Sequence, residues 1–267
     1  MPELPEVENV IRSLVNKVSG KKIASVEIIT PSIVYKRTDF IDLVKDKTIV
    51  TLERRGKYII IRLDEGNLLI HLRMTGKLLF NGEIGKHTHL KIDFTDGNYL
   101  IYNDVRKFGR INYLSNDELN IYLKTKVGLE PGLMELEAFK TKLMNKRGPL
   151  KKILLDQTVI AGIGNIYADE ILFASGIHPL TETSKLKDED YIILFDNIRG
   201  ILEKAILAGG STIRDYVNGD GTAGGFQDAH QVYGRGGKEC ICCGCTLEKI
   251  KVAGRTTVYC PICQRIR

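Results

Sequence analysis

The chain has 267 residues, 43% of them hydrophobic and 27% charged, the balance of an ordinary globular protein with room for two domains. No run approaches the ~18 uncharged apolar residues of a membrane span, and the acidic start MPELPEVENV does not read as a secretory leader, so a cytoplasmic location is expected. Six cysteines lie between Cys240 and Cys263, a clustering that argues against a disulfide-stapled fold and for a metal site.

In chain order, Val7, Val10, Ile11, Leu14, Val15 and Val18 recur at helical spacing. Pro5 suits the first turn and Gly20 a stop, which predicts an amphipathic helix behind a short N-terminal tip. Residues 23 to 114 read as strands: IASVEII, TIVTLE, KYIIIRL, NLLIHLRM, HLKIDF, NYLIYN and RINYL. Turns such as Asp64-Glu65-Gly66-Asn67 and Asp96-Gly97-Asn98 separate them, the rhythm of a β-sandwich or barrel. From Asn116 to about Val217 helical periodicity dominates, and its longest stretch is Asp188 to Leu207. Residues 218 to 225, NGDGTAGG, hold four glycines and read as a mobile loop. The fold class expected is α+β and multidomain: a β-sandwich with one amphipathic helix, a helical domain, and a small metal module.

Net charge is +6 and unevenly placed. Residues 231 to 267 carry seven basic residues against two acids, a local net charge of +5. Lys142, Lys146, Arg147, Lys151 and Lys152 form a second basic run without an acid. Such concentration suits a polyanion, nucleic acid first, although a solvated basic surface looks the same in sequence.

The tail reads Cys240-Ile-Cys-Cys243, sixteen intervening residues that begin with Gly244, then Cys260-Pro-Ile-Cys263. Two such units supply four thiolates for one tetrahedral zinc, with no position open for catalysis. Cys242 and Cys245 form a rival pair. Gly244 favours Cys240 and Cys243, because the turn after such a pair commonly needs φ > 0. A redox-active cysteine cluster is the alternative.

At the other end, Met1 precedes a small residue, so its removal would leave Pro2 with a free secondary amine. An α-amino group titrates near pH ~8, so a useful fraction is a neutral nucleophile. Glu3 beside it could move a proton. From spacing alone, a frayed terminus with two incidental prolines is the plainer reading.

The first seven residues, Met-Pro-Glu-Leu-Pro-Glu-Val, resemble the start of bacterial formamidopyrimidine-DNA glycosylases. Further matches follow in order: Arg54-Arg55-Gly56-Lys57-Tyr58, His71 to Gly76, Lys86 to His89, Asp104 to Gly109, Gly162 to Ala168, Gln231 to Arg235, and the cysteine module. The resemblance covers essentially the whole chain. It implies a base-excision repair enzyme with two linked activities, DNA glycosylase and abasic-site lyase. The implied substrate is an oxidised purine, 8-oxoguanine or a formamidopyrimidine, in damaged double-stranded DNA, and the implied state is a monomer. Pro2 would be the Schiff-base nucleophile and Glu3 the proton donor, with Lys57 and Arg255 assisting elimination. Met74, Arg106 and Phe108 would fill the gap left by an extruded base, although Met74 and Phe108 otherwise read as core residues. His87, Arg106, Lys146 and Asn165 would bind DNA; Asn165 otherwise reads as a helix cap. One structural zinc would sit on Cys240, Cys243, Cys260 and Cys263. The implied domains are a catalytic sandwich at 1–115, a helix-two-turn-helix domain at 131–217, a lesion-closing loop at 218–225 and a zinc finger at 231–267. The rivals are an endonuclease-VIII-like enzyme for oxidised pyrimidines and a non-catalytic zinc-ribbon DNA binder. Leu4 and the Met74, Arg106 and Phe108 set speak against the first.

Overall fold

The computed structural model describes residues 1–35, 38–213 and 215–267; Lys36, Arg37 and Arg214, which fall within the predicted strand and helical regions, lie outside the described residues. The chain divides into two compact units, Met1–Thr125 with Ile206–Gln227 and Lys126–Ala205 with Asp228–Arg267. Among the described residues no helix is long and apolar enough to cross a membrane.

The first unit opens with α1 (Leu4–Val18), whose Val7, Val10, Ile11, Leu14 and Val18 are buried along one face. After β1 (Ile23–Ile28) and a short α2 (Phe40–Val44) come seven strands. They are β2 (Ile49–Arg55), β3 (Tyr58–Leu63), β4 (Asn67–His71), β5 (Gly76–Phe80), β6 (Thr88–Phe94), β7 (Tyr99–Asp104) and β8 (Arg110–Leu114). They form two four-stranded sheets, ordered β1-β6-β7-β5 and β2-β3-β4-β8. Every pairing within them is antiparallel, so the expected sandwich is present. Residues of both sheets and of α1 and α2 share one core. β4 is buried at every position because α3 (Asn116–Lys126) covers the outer face, where Leu119 meets Ile60 and Leu69. A strand covered on both faces reads as a continuous apolar run, as NLLIH does.

The second unit contains α4 (Leu136–Met144), α5 (Leu150–Leu154), α6 (Asn165–Ala174) and most of α7 (Asp188–Leu207). It also holds the hairpin β9 (Glu248–Val252) and β10 (Arg255–Tyr259). Phe173 of α6 packs with Val232, Leu247 and Val258, so the cysteine module shares a core with a helix. Lys151 was expected on a basic surface and is instead fully buried. Its Nζ donates to Asp169 Oδ1 at 2.6 Å and to Thr257 Oγ1 at 2.7 Å, and Asp169 Oδ2 accepts Val258 N–H at 3.2 Å. The lysine is thus a clasp between α5, α6 and β10. A charge run in sequence cannot reveal a carboxylate 18 positions away.

Helical structure stops at Leu207, and the segment to Val217 returns to the first unit. The glycine-rich residues that follow are hydrogen-bonded throughout. Gly219 N donates to Ser13 Oγ at 2.7 Å, Phe80 N to Gly219 O at 3.1 Å, Gly224 N to Thr212 Oγ1 at 2.8 Å and Gly225 N to Ala208 O at 2.8 Å. Two of the glycines are required by close approach. A Cβ on Gly224 would lie 2.2 Å from Gly210 O, and one on Gly219 would lie 2.3 Å from Leu14 Cγ. Gly224→Ala should therefore destabilise the protein by roughly 1–3 kcal/mol through overpacking. Gly85→Ala, which meets open space at a permissive φ, should be near neutral. Thermal unfolding of the two variants checks this; equal melting points would contradict the packing argument.

Candidate active site

Pro2 and Glu3 do not fray. Both are buried, as is Glu6, which is 1% exposed. Glu3 is the N-cap of α1, and it forms a reciprocal capping box with Glu6. Glu3 N donates to Glu6 Oε2 at 2.7 Å, and Ser211 N donates to Glu6 Oε1 at 2.7 Å. One buried carboxylate therefore fixes the N-terminal tip against both α1 and the loop after α7. A frayed tail fails as a reading because the tip carries its own cap and a distant backbone partner.

Lys57 lies in the β2–β3 turn, where Gly56 has φ +56°, and is buried rather than an exposed strand lysine. Arg54, at the end of β2, is bonded to Glu8 of α1 at 2.8 Å, which sets that turn beside the helix start. The amine of Met1 is held below its ordinary value near 8 by burial, against the pull of Glu3 and Glu6; Lys57 adds to the lowering and Asp215 opposes it. The Met1 amine, two carboxylates and one ammonium thus share one neighbourhood, in which partial burial favours the neutral amine.

Two loops of the sandwich carry the predicted wedge residues. Met74 lies between β4 and β5; Arg106 and Phe108 lie between β7 and β8. Met74 and Phe108 are 39% and 50% exposed, so they are not core residues. The Arg106 guanidinium stands 4.6 Å from the Phe108 ring centroid. Arg73 and Lys107 adopt φ of +55° and +56°, a conformation that non-glycine residues hold only where the surroundings impose it.

Between the two loops stands Asp104, a residue that sequence reasoning missed. Its carboxylate accepts Thr75 Oγ1 at 2.5 Å, Arg106 N at 3.1 Å, Gly109 N at 2.8 Å and Tyr102 Oη at 3.3 Å. Both loops hang from this one group. Burial pushes its pKa up, and these hydrogen bonds outweigh that and hold it below the usual carboxylate value. His87 joins the same knot through its carbonyl, which accepts Asp104 N at 2.9 Å. His71 was also missed: its Nδ1 accepts Arg73 N at 3.0 Å. Burial, helped by Arg73 and Lys57, pushes its pKa down to about 3, so it stays a neutral acceptor.

In the second unit Asn165 is the first residue of α6, and the cap position belongs to Gly164. Asn165 Nδ2 reaches Thr256 O at 3.0 Å, so it links the helix start to β10. Lys146 is half-buried in the turn after α4, and its carbonyl accepts Thr183 Oγ1 at 2.5 Å. Arg255 is exposed at the β9–β10 turn, where Ala253 and Gly254 both have positive φ.

The Sγ atoms of Cys240, Cys243, Cys260 and Cys263 all lie within 4.8 Å of one another. Gly244 has φ +76° and its N–H bonds Cys240 O at 2.8 Å, as the chosen register requires. Four convergent thiols with soft donor character fit a tetrahedral zinc. Cys245, one of the rival pair, is also close: its Sγ lies 3.3 Å from that of Cys243 and 3.2 Å from that of Cys260.

A family model described as the formamidopyrimidine-DNA glycosylase N-terminal domain matches residues 1–111, and one for the H2TH domain of the same enzymes matches residues 127–217. Formamidopyrimidine-DNA glycosylases of Streptococcus pneumoniae and Bacillus cereus are 42% and 44% identical to this chain, each over 99% of both chains. The Lactococcus lactis enzyme, solved as a point mutant in complex with Fapy-dG-containing DNA, superposes with a TM-score of 0.92 at 43% identity, covering 99% of this chain and 100% of its own. Its complex with abasic-site DNA gives 0.91 at 43% identity, covering 98% and 99%.

The two family models and the near-full-length relatives define a DNA glycosylase. The chain belongs to the formamidopyrimidine-DNA glycosylase family.

Asp104→Asn should cost about 3 kcal/mol of stability, since it turns a multiply bonded buried anion into a group with a misplaced donor. A carboxylate with lowered folded pKa contributes stability that is present above its unfolded value and lost as pH falls through the folded one. The stability gap between wild type and variant should therefore be level above about pH 5 and shrink below about pH 4. Denaturant melts across pH check this; a gap that widens in acid would contradict it.

Proposed function

We propose that the protein excises oxidised purines, 8-oxoguanine and formamidopyrimidines, from damaged duplex DNA and then cuts the strand at the resulting abasic site. The observation that carries the reading is the buried Pro2–Glu3 tip, anchored through the Glu6 carboxylate, with Lys57 beside it. The catalytic form is the chain that begins at Pro2.

In that form the Pro2 nitrogen attacks C1′ of the damaged nucleoside. The C1′–N bond breaks and the base leaves with a proton. Opening of the sugar ring gives a cationic iminium, and Glu3 is the group placed to deliver a proton in this phase. The iminium acidifies C2′, so loss of a C2′ proton expels the 3′ phosphate. A second elimination expels the 5′ phosphate, and water releases Pro2. Lys57, buried in the β2–β3 turn, neutralises phosphate charge as each elimination proceeds. Arg255, exposed at the finger tip, takes the corresponding role on the other unit.

Excision requires the base to leave the stack. Met74, Arg106 and Phe108 fill the gap: an exposed thioether and an exposed ring carrying a stacked guanidinium suit that task. His87, Lys146 and Asn165 bind the backbone around it. Solved complexes of the Lactococcus lactis relative hold Fapy-dG and abasic-site DNA, which supports the same substrates here. Zinc on Cys240, Cys243, Cys260 and Cys263 orders the finger and takes no part in bond breaking. All proposed parts sit on one chain, which suits a cytoplasmic monomer.

Base release needs the Glu3 proton, whereas condensation with a pre-formed abasic aldehyde does not. Glu3→Gln should therefore cut 8-oxoguanine excision by about a hundred- to ten-thousand-fold. Cleavage of abasic duplex by the same variant should survive substantially. Equal loss on both substrates would mean that the carboxylate serves the fold of the tip and not base release.

A further inference from the structure

The cysteine module holds two thiols more than a tetrahedral metal can use, and one of them, Cys245, stands against the four-thiol set. Two thiolates sharing a zinc with Zn–S near 2.3 Å stand about 3.8 Å apart. Cys240 to Cys263, at 3.9 Å, and Cys243 to Cys260, at 3.5 Å, are close to that spacing. Cys245 stands 3.3 Å from Cys243 and 3.2 Å from Cys260, against the edge that those two sulfurs define. Its backbone is part of the site: Cys240 N donates to Cys245 O at 2.7 Å. Cys242, in contrast, is an exposed residue outside the four-thiol set.

The two sulfurs flanking Gly244 are unlike in exposure. Cys243 is exposed and Cys245 half-buried. Gly244 stands at φ +76° and a Cβ there would meet nothing within 4 Å, so the turn has open space around its pivot. Zinc has no d-electron preference among geometries, and its thiolates exchange when a further thiolate touches the coordination edge.

We propose that Cys245 is a standby zinc ligand, which takes the place of Cys243 when that thiolate is lost, so that the finger holds its metal with either of two four-thiol sets. The proposal rests on the zinc reading of the finger. Exchange breaks one Zn–S bond and forms another; Cys245 gives up its proton on binding, and a Cys243 thiolate released in exchange takes one up. No oxidant is needed. A Cys243 modified by an alkylating or oxidising agent would leave the finger still loaded.

The test uses the full chain in wild-type form and as Cys243→Ser, Cys245→Ser, Cys243→Ser/Cys245→Ser and Cys260→Ser. Zinc per chain is measured by atomic absorption, and release is followed with a chromophoric chelator. Cobalt(II) substitution then counts thiolates through the sulfur-to-cobalt charge-transfer band. Wild type and both single variants at positions 243 and 245 should hold about one zinc and show a four-thiolate band. The double variant and Cys260→Ser should release metal faster by more than the about 10–100-fold that outer partners of a site are worth. A Cys243→Ser protein that empties like the double variant, or shows a three-thiolate band, overturns the exchange while leaving the zinc reading intact. A double variant that keeps a four-thiolate band overturns it too, since another donor would then be the reserve. A wild type without zinc would remove the finger reading itself, and the proposal with it.

Discussion

The Glu6 carboxylate is the constraint on which the catalytic half depends. An unpaired buried carboxylate would be costly, and this one is satisfied by backbone N–H groups from Glu3 and from Ser211, 205 positions away. Its place in the first turn of α1 adds the favourable end of the helix dipole. Gly210 makes the approach possible: at φ +79° it passes Glu6 so closely that a Cβ would lie 2.9 Å from Oε1. The result is an N-terminus held as firmly as a core residue. For the proposed Pro2 nucleophile, such anchoring leaves little orientation to lose on reaching its target, and that is where intramolecular catalysis finds much of its advantage.

A second constraint of the same kind governs the loops. Asp104 does for Met74, Arg106 and Phe108 what Glu6 does for the tip: one buried carboxylate collects donors from separated segments. Tyr102 completes it from below. A Cβ on Gly109 would lie 1.6 Å from the Tyr102 hydroxyl and one on Gly76 2.4 Å from it, so glycine at both loop ends is a packing requirement. In the other unit Lys151 and Asp169 form the corresponding polar anchor for the finger. Each piece of proposed chemistry thus hangs from a buried charge with named partners and not from propensity.

Local pattern made much of this legible. The apolar spacing from Val7 to Val18 and the stop at Gly20 match α1, and the stretch Asp188 to Leu207 matches α7. Alternation and turn residues located the strands of the sandwich, and Gly244 selected which cysteines converge. What escaped was long-range. Nothing adjacent to Glu6 points to Ser211, and nothing near Lys151 points to Asp169 or Thr257. Asp104 lay inside a recognised motif, but its role depends on Thr75 and Tyr102 being brought to it by strand pairing. Composition likewise reports only the missing side chains of residues 218 to 225 and not what lies against Gly219 and Gly224.

The central claim is that the amine of Pro2 is the covalent nucleophile. Borohydride reduction during turnover on an abasic or 8-oxoguanine duplex, followed by peptide mass spectrometry, tests it directly. The account predicts a single reduced adduct on the peptide that begins at Pro2, with Met1 absent and Lys57 unmodified. An adduct on the Lys57 side chain with an unmodified Pro2, or trapping by chains that retain Met1, would contradict it.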